Sequence, residues 1–533
     1  MKSSSTLRGF RNNPAVLICF AVTIFFQLTL TYYALKPRVG FDDANITQVY
    51  ARHLAEGHGY VYNIGGERVE GSTSLLWTLI NAALFLTPFP ILMITALSGL
   101  LTVGTLVFSG AITRMIGGAS GAVALCYLLF NFFPGFFAWS LWSLMDITLW
   151  VFAICGLVWS MLRIETQSGS WPGYFGLLLG ACCLPLVRPE GIGVAQGLFA
   201  IAIYFRWHTR RSFGIYVIAG LLSVAVIAAV TIWRLQFFGY PVPNTFYAKT
   251  STDLFGQMSQ GISYVGSFLT ETTTIILFIG AALSIAMINA SSARPAARFY
   301  ALLVPYVTIG GLLVYVILGG DHFGSYRFLI YILPLAIPLA AHALAEFVAA
   351  YSEKLTKITL SLVLVFYAGL TWGAFIVDGG NVRHELRIAE GSRIVGTELA
   401  KLPSVPSVAI IPAGGFKMAY PGTVYDVLGL NWTKMALSGD VRTDALKNHG
   451  GFNAEIFWEA LPEIAFPRYG ACDDGQAMVM DDFGFNITQG FTDTERFQAH
   501  YIAVCKEPVV AYVARPLESM MLENGYHPYL TDH

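Results

Sequence analysis

Long apolar segments separated by short polar stretches make up the first 375 residues or so of this chain. The first segment runs from about Pro14 to Leu35, and the others are centred near residues 101, 128, 154, 180, 198, 223, 282, 308, 338 and 366. Each approaches the ~20 residues that a helix needs to cross a bilayer. The pattern therefore predicts about 11 spanning helices. The apolar segment Leu75 to Leu86 is shorter, and we expect it to form a partly inserted surface helix.

Composition also predicts a membrane protein, and a change in composition along the chain marks the end of the membrane domain. The 533 residues are 55% hydrophobic and only 12% charged, whereas soluble domains have roughly 25% charged residues. After about Phe375 the chain becomes more polar, and strand patterns at 408–411 and 424–428 alternate with helical patches. We expect an α-helical polytopic membrane domain over residues 1–376, with an outer loop at 36–90, and a soluble α/β domain over 377–533. A net charge of −1 argues against a nucleic-acid partner.

Basic loops predict the orientation of the chain in the membrane. Lys2, Arg8 and Arg11 precede the first apolar segment. The other basic positions are Arg114, Arg163, the cluster Arg206/His208/Arg210/Arg211, Arg294/Arg298 and Lys354/Lys357. The positive-inside rule places these in the cytoplasm. The soluble domain then lies outside the cytoplasm, in the periplasm of a double-membrane bacterium. Cys472 and Cys505 could form a disulfide there.

Two adjacent carboxylates, Asp42 and Asp43, follow the first predicted span. Apolar residues at helical spacing come next (Ile46, Val49 and Tyr50), and they predict an amphipathic helix lying on the outer leaflet. One aspartate could cap this helix. The second then needs another role, such as a general base or a metal ligand.

The same topology places further polar clusters on the outer side. They are Glu70, Asp146, Arg188 with Glu190, the Asn244–Lys249 stretch with Tyr247, and Asp321-His322 with Arg327. Charged groups near a bilayer are unfavourable unless they are paired or lie in a wet cavity. We therefore expect a shared cavity. Simpler interpretations stay open for several clusters: a surface pair of Glu70 with Arg68, helix capping by Asp146, and a neutralised Arg188–Glu190 pair.

The residue types in these clusters suit a lipid-linked phosphate and a sugar. Arg188, Arg327 and Lys249 are candidates for binding a phosphate. Aromatic faces with polar handles, as in the Asn244–Lys249 stretch, suit sugar rings. A divalent metal shared by Asp42, Asp43, Asp321 and His322 stays open, because no spacing here is diagnostic of one. The chain has no P-loop and no GxGxxG after a strand.

Several of these stretches resemble one family of enzymes. Phe41-Asp42-Asp43-Ala44-Asn45-Ile46, Glu56-Gly57-His58-Gly59 and Val69-Glu70-Gly71-Ser72 resemble the first extracytoplasmic loop of polytopic GT-C glycosyltransferases. The resemblance is to the mycobacterial terminal β-(1→2)-arabinofuranosyltransferase family and its Gram-negative relatives, which include a pilin-modifying arabinofuranosyltransferase. Further matching stretches are 186–191, 243–249, 319–321, 326–328 and 426–431. The stretch 139–146 departs from the family, with Asp146 in place of a glutamate and no glycine.

This resemblance implies a GT-C fold and a polyprenyl-phosphate sugar donor, such as decaprenyl-phosphate arabinofuranose. It implies transfer to an extracytoplasmic glycan or protein, with pilin as one candidate, and it assigns Asp42 as the catalytic carboxylate with Asp43 assisting. We expect Arg188, Lys249 and Arg327 to bind the donor phosphate. We expect the sugar or the acceptor to contact Glu70, Asp146, Glu190, Asn244, Tyr247, Asp321 and His322.

Two other functional classes stay open at this stage. A transporter or flippase of a lipid-linked sugar would also have charged groups within a membrane domain, but such proteins place them near the midplane and often contain internal repeats. A non-catalytic membrane assembly factor is the third class. The soluble domain fits an acceptor better than it fits a permeating solute.

Overall fold

The structure is a computed structural model that describes residues 13–167, 169–249, 254–350, 354–438, 451–472, 487–488 and 490–529. The basic residues Lys2, Arg8 and Arg11 lie outside the described residues. Contacts divide the chain into two compact units. The first consists of Met1–Pro37, Thr95–Ala229 and Met258–Arg383, and the second of Arg38–Ile94, Val230–Gln257 and His384–His533.

The helices up to residue 399 follow the apolar pattern closely. They are α1 (Pro14–Leu35), α2 (Asp42–Ala55), α3 (Leu75–Phe85), α4 (Pro90–Met115), α5 (Ser120–Leu129), α6 (Pro134–Phe137), α7 (Ile147–Thr166), α8 (Trp171–Val187), α9 (Gly191–His208), α10 (Gly214–Phe237), α11 (Asn244–Lys249), α12 (Leu254–Thr270), α13 (Thr272–Ala290), α14 (Pro295–Ile317), α15 (Leu333–Ala350), α16 (Lys354–Asp378) and α17 (Gly380–Leu399).

Each of the 11 predicted spans coincides with a helix or with a bent pair of helices. Within the described residues, eight helical stretches are long and apolar enough to cross a membrane, and the pair Ser120–Phe132 and Pro134–Trp142, bent by 83°, makes a ninth. The other two are α8, with 17 residues, and α9, with 18. The chain is therefore a multi-pass membrane protein. The segment predicted as a surface helix is α3, whose 11 residues are too few to span a bilayer.

Helix α7 is the most buried span of the first unit. The buried share of its most apolar 18-residue window is 72%, compared with 17% for α10 and 22% for α1. Apolar residues occupy almost its whole circumference, among them Trp150, Ile154 and Val158. A helix that is apolar all round is expected at the centre of a membrane domain.

The second unit contains a six-stranded sheet with helices. Its elements after α17 are β1 (Val408–Ile410), α18 (Ala413–Ala419), β2 (Val424–Asp426), α19 (Thr433–Ala436), α20 (Ala454–Ala460), β3 (Ile464–Tyr469), α21 (Glu495–His500), β4 (Tyr501–Lys506), β5 (Val509–Ala514), α22 (Glu518–Glu523) and β6 (His527–Pro528). The strand order is β2-β1-β3-β5-β4-β6. The β1 strand is parallel to β2 and β3, and the other pairs are antiparallel. The predicted α/β domain is confirmed.

The apolar stripe of α2 packs into the core of this unit. Ile46, Val49 and Tyr50 are almost completely buried and share a cluster with Phe416 of α18 and Val408 of β1. The helix was predicted correctly, but its placement on the outer leaflet was wrong. Periodicity shows that a helix has an apolar face but does not identify what covers it.

The edge strand β2 is covered by a side chain from the first polar loop, the segment 56–74 between α2 and α3. Asn63 donates from Nδ2 to the carbonyl of Val424 at 2.9 Å. Its Oδ1 accepts from the Val424 N–H at 3.0 Å. The amide of Asn63 therefore makes the two hydrogen bonds that a neighbouring strand would make.

Candidate active site

Asp42 is the first residue of α2, and its carboxylate contacts α18. The N–H of Gly414 donates to Oδ2 at 2.9 Å, and the N–H of Gly415 donates to Oδ1 at 2.7 Å. The residue before α2 is Phe41, and no side chain caps the helix there. The alternative that one of the two aspartates is the N-cap is therefore wrong, since Asp42 and Asp43 both lie within the first turn. Both oxygens of this half-buried carboxylate are held in fixed positions by backbone groups.

The surroundings of Asp42 favour its protonated form more than water does. Burial raises the pKa of Asp42 from 3.8 to about 7, against the opposing effect of the two backbone N–H groups. The negative charges of Asp43 and Asp426 raise it further. A carboxylate with a pKa near the working pH is suited to general base catalysis.

A third carboxylate, Asp426, belongs to this acidic group. It is 1% exposed and accepts from the N–H of Leu428 at 3.0 Å, from the N–H of Asn431 at 3.0 Å and from Nδ2 of Asn431 at 2.8 Å. Burial raises the pKa of Asp426 to about 6. Sequence reasoning noted this stretch as a motif and did not select Asp426. The signal is its position at the carboxyl end of a parallel strand, where α/β sheets place functional side chains, and the structure is needed to show that the strand is parallel.

A hydrogen-bonded chain runs from Asp426 to the first polar loop. Asn431 accepts at Oδ1 from the hydroxyl of Tyr50 at 3.0 Å. The same hydroxyl accepts from the N–H of Gly71 at 3.0 Å. A Cβ atom on Gly71 would lie 1.9 Å from Oδ1 of Asn431, so this approach requires glycine. Two stretches singled out in the sequence, 69–72 and 426–431, are therefore brought together.

Glu70 forms a buried pair with Arg234. The Nε of Arg234 lies 2.8 Å from Oε2 of Glu70, and its Nη2 lies 2.9 Å from Oε1. The interpretation of Glu70 as a surface partner of Arg68 is wrong, since the Arg68 guanidinium lies over the ring of Phe237 instead. A buried bidentate pair holds two segments together strongly.

Asn244 and its neighbours in α11 lie in the same unit. Asn244 donates from Nδ2 to the carbonyls of Gly429 at 2.7 Å and Leu430 at 3.0 Å, and its N–H donates to the carbonyl of Glu70 at 3.0 Å. Tyr247 is half-buried beside the ring of Tyr240, and Lys249 is half-buried at the end of the helix. Glu70, Asn244 and the 426–431 loop therefore form one hydrogen-bonded network. Asp42 lies close enough to Asp426 for the two negative charges to interact.

Lys417 is a buried titratable residue of α18 that sequence reasoning did not select. It is 2% exposed, and its Nζ donates to the carbonyl of Gly422 at 2.6 Å. Burial lowers its pKa from 10.5 to about 7, and the nearby charge of Arg52 lowers it further. No local pattern in the sequence indicates that a lysine will be buried.

The first unit contains a separate charged cluster around Arg188. Its guanidinium makes a bidentate pair with Asp146, at 2.7 and 3.2 Å, and lies 3.5 Å from Glu190. Glu190 also accepts from the hydroxyl of Tyr315 at 3.2 Å. Asp146 makes no capping bond to α7. The capping interpretation of Asp146 is wrong, whereas the predicted neutralised pair at Arg188 is confirmed.

Arg327 also forms a bidentate ion pair, and the ring of Phe328 lies close to the guanidiniums of both Arg327 and Arg188. Arg327 makes a bidentate pair with Asp321, at 2.8 and 3.0 Å, and Asp321 also accepts from the N–H of His322. The ring of Phe328 lies 4.5 Å from the Arg327 guanidinium and 5.3 Å from that of Arg188. The predicted clusters at 146, 188–190 and 321–327 therefore meet around Phe328, with three carboxylates and two guanidiniums.

Metal ligation is not evident from the described residues. Among them, the one group of three candidate ligand residues lying close together is Cys472, Cys505 and His527. The two cysteines form a disulfide, so their sulfur atoms are not thiolate ligands. The pairing that the sequence allowed is therefore present. A divalent metal at the aspartates remains a prediction.

Comparison with known proteins identifies the fold. No protein-family model and no curated protein matches the sequence. The apo structure of ArnT from Cupriavidus metallidurans matches with a TM-score of 0.55 and 14% identity, over 92% of this chain and 97% of that chain. The chain has the GT-C fold. The fold implied by the sequence resemblance is thus confirmed.

Two further solved structures share this GT-C fold. ArnT bound to undecaprenyl phosphate matches with a TM-score of 0.51 and 13% identity, over 76% of this chain and 85% of that chain. The archaeal oligosaccharyltransferase AglB from Archaeoglobus fulgidus, in complex with an inhibitory peptide and a dolichol-phosphate, matches with a TM-score of 0.56 and 9% identity, over 95% of this chain and 74% of that chain.

Proposed function

We propose that this protein transfers a sugar, D-arabinofuranose, from a polyprenyl-phosphate donor to an extracytoplasmic glycan or protein, such as pilin. The observation that carries the proposal is Asp42, a fixed carboxylate whose pKa is raised to about 7 on a GT-C fold. Two structural neighbours bind undecaprenyl phosphate and dolichol-phosphate, which supports a lipid-linked donor. The choice of arabinofuranose depends on the sequence resemblance.

Asp42 is the proposed general base. Its carboxylate accepts the proton of the acceptor hydroxyl as that oxygen attacks the anomeric carbon. The bond between this carbon and the phosphate oxygen breaks, and the polyprenyl phosphate leaves with the electron pair. Asp43 assists by its negative charge, which makes Asp42 a stronger base.

The donor phosphate is the proposed ligand of Arg188 and Arg327. Each guanidinium is already oriented by a carboxylate, Asp146 or Asp321, in the bidentate geometry that also suits a phosphate. Phosphate binding must therefore compete with these carboxylates. Fixed cations at the leaving group stabilise the charge that develops there. Lys249 is a third candidate, and Asp321, His322, Glu190 and Tyr247 remain candidates for sugar contacts.

The second unit is the proposed acceptor-binding part, on the periplasmic side of an inner membrane. Trp432 follows the hydrogen-bonded 426–431 loop, and its ring lies 4.9 Å from that of Tyr425. Such a pair suits the face of a sugar ring. The disulfide between Cys472 and Cys505 supports a location outside the cytoplasm, because disulfides are rare in reducing compartments.

A transfer assay tests this function directly. Purified protein is incubated with a panel of polyprenyl-phosphate sugars and an acceptor extract, with and without a chelator. We expect transfer from one donor and a loss of about 10²- to 10⁴-fold in Asp42→Asn. The matched control Glu495→Gln removes an exposed carboxylate from α21 and should keep full activity.

Two results would contradict the proposal. One is an Asp42→Asn protein that folds and transfers sugar at the wild-type rate. The other is wild-type protein that moves lipid-linked sugar across liposomes and transfers none, which would favour a flippase. Loss of activity with the chelator, restored by a divalent cation, would add a metal to the mechanism.

A further inference from the structure

Helix α7 carries a buried ion-pair cluster at each end. Asp146 immediately precedes the helix, and Glu165 is its second-last residue. The 19 residue steps from Asp146 to Glu165 span about 28 Å at ~1.5 Å per residue. That length matches the ~30 Å hydrocarbon core of a bilayer. The Glu165 cluster therefore lies at the membrane face opposite to the Asp146–Arg188 pair.

Glu165 organises two arginines from neighbouring elements. Its side chain is completely buried, and Oε1 lies 2.6 Å from Nε of Arg206 at the end of α9. Its Oε2 lies 3.1 Å from Nη1 of Arg211 in the following turn. The hydroxyl of Tyr216 in α10 approaches the same carboxylate at 3.4 Å. A buried carboxylate with three donors is a built arrangement that fixes the guanidiniums in place.

The cluster has more positive charge than Glu165 neutralises. Arg163 and Arg210 make no ion pair with any described residue, and the buried Nε of Arg163 has no hydrogen-bond partner within this part of the chain. Glu165 therefore neutralises only one of the two arginines that contact it. Arg163 and Arg210, each within two residues of a member of this cluster in the sequence, add two further positive charges. Arg210 and Arg211 are exposed. The excess positive charge is therefore accessible to an anionic group.

Aromatic side chains at the same helix ends place the cluster at the level of the lipid head groups. Trp207 lies next to Arg206, is 68% exposed and stacks on Phe213. Trp171 begins α8 and is 74% exposed. Exposed tryptophans are typical of the boundary between lipid tails and head groups. Basic groups between helices at this level are where anionic lipids bind.

We propose that Arg206 and Arg211, oriented by Glu165, bind the phosphate of an anionic membrane lipid together with the neighbouring Arg163 and Arg210. The phosphate belongs either to a phospholipid head group or to a polyprenyl phosphate monoester. The positive-inside rule accounts for arginines at this end but requires only their charge. It does not account for a buried carboxylate that orients two of them. The site is independent of the proposed transferase activity.

Lipid binding to the full-length protein tests this site. The protein is purified in a non-ionic detergent and titrated with phosphatidylglycerol, undecaprenyl phosphate or phosphatidylcholine, and binding is measured by native mass spectrometry. We expect Arg210→Gln/Arg211→Gln to weaken binding of the anionic lipids about 10- to 30-fold. The control Arg298→Gln removes an exposed arginine near the beginning of helix α14 and should leave affinity unchanged.

The variant Glu165→Gln distinguishes binding by oriented guanidiniums from non-specific electrostatic attraction. The substitution makes the cluster more positive, so simple electrostatic attraction would strengthen binding, whereas loss of the oriented guanidiniums weakens it. A preference for phosphatidylglycerol or for undecaprenyl phosphate identifies the lipid, and either supports the site. Equal binding of phosphatidylcholine would overturn it, as would equal losses in Arg210→Gln/Arg211→Gln and Arg298→Gln. If Glu165→Gln does not fold, the comparison of these arginine variants still decides.

Discussion

Asp42 and Gly414 approach so closely that a Cβ atom on Gly414 would lie 1.9 Å from the carbonyl oxygen of Asp42. The same Cβ would lie 2.8 Å from the N–H nitrogen of Ile46. Both obstacles are backbone atoms of α2, so the conflict cannot be relieved by a side-chain rotation. The hydrogen bond from Gly414 to Asp42 depends on this contact.

Gly414→Ala should therefore displace α18 from Asp42. We expect the free energy of unfolding to fall by about 1–3 kcal/mol and the transfer rate by about 10²-fold, because a shift of ~1 Å in a catalytic group has an effect of this size. Thermal unfolding and the transfer assay measure the two effects. Gly197→Ala in α9 is the control, since its Cβ would meet open space. Equal behaviour of the two variants would contradict the prediction.

The pH dependence of transfer should follow the ionisation of Asp42. Because the ionised carboxylate is the base and its pKa is raised to about 7, the rate should rise with pH and level off above about 7. Stability should change in the opposite direction. The folded state retains a proton that the unfolded state releases from about pH 4, so the free energy of unfolding decreases between about pH 4 and 7.

Asp42→Asn should remove this contribution to the pH slope of stability. Chemical unfolding at several pH values gives the slope of the free energy of unfolding against pH for each protein. Only these slopes are compared, because asparagine also changes the hydrogen bonds to α18 and so changes the free energy at every pH. Lys417, with a pKa lowered to about 7, titrates in both proteins and so cancels in the comparison. Identical slopes would show that Asp42 does not titrate in this range.

Removal of one partner of the buried Glu70–Arg234 pair should destabilise the folded protein strongly. Glu70→Gln leaves the guanidinium without a counter-charge, and we expect a loss of about 3–5 kcal/mol. The double variant Glu70→Met/Arg234→Met should recover most of it. Transfer activity then assigns the role of Glu70. Recovery of activity with stability indicates a structural role, whereas recovery of stability alone indicates a sugar contact.

Arg327→Lys should test the donor phosphate site. Lysine keeps the charge but cannot make the bidentate pair. Because the leaving phosphate gains charge in the transition state, we expect kcat/KM for the polyprenyl-phosphate donor to fall about 10-fold, with a lower kcat as well as a higher KM. Steady-state kinetics at varied donor concentration provide both constants. Arg298→Lys, at an exposed position near the beginning of helix α14, is the control. A kcat/KM equal to that of the wild type would argue against phosphate binding.

The disulfide between Cys472 and Cys505 should stabilise the second unit. It closes a loop with a sequence separation of 33, for which chain entropy gives about 4 kcal/mol. The variant Cys472→Ser/Cys505→Ser should therefore unfold at lower temperature than wild-type protein. Addition of a reductant should lower the unfolding temperature of the wild type and not of the variant. An effect of reductant on both would indicate another cause.

The helices of the membrane domain could be predicted because lipid imposes length and apolarity on each span separately. Asp42 could also be selected as a candidate functional residue from the sequence, because two adjacent carboxylates beside a membrane span are energetically unfavourable and so indicate a function. Its partners could not. Gly414 and Gly415 lie more than 370 residues away and contribute backbone N–H groups, which every residue except proline has.

Ion pairs and strand pairs between segments that are far apart in the sequence could not be predicted either. Glu70 has a basic neighbour, Arg68, in the sequence, and its actual partner Arg234 is 164 residues away. Asp426 reads as the end of a short strand, and only the parallel pairing of β2 with β1 identifies it as a functional position. A local sequence pattern shows that a segment has an apolar face to bury or a charge to neutralise. It does not show which other segment packs against that face or carries the opposite charge.

The side chain of Asn63 has a consequence for how copies of this protein behave together. A free edge strand can pair with the edge of another molecule and start aggregation. Asn63 occupies both outward-facing backbone groups of Val424, so a second copy cannot add its own strand to β2 at that point. One amide side chain from the first polar loop thereby keeps this edge of the sheet from associating with another molecule.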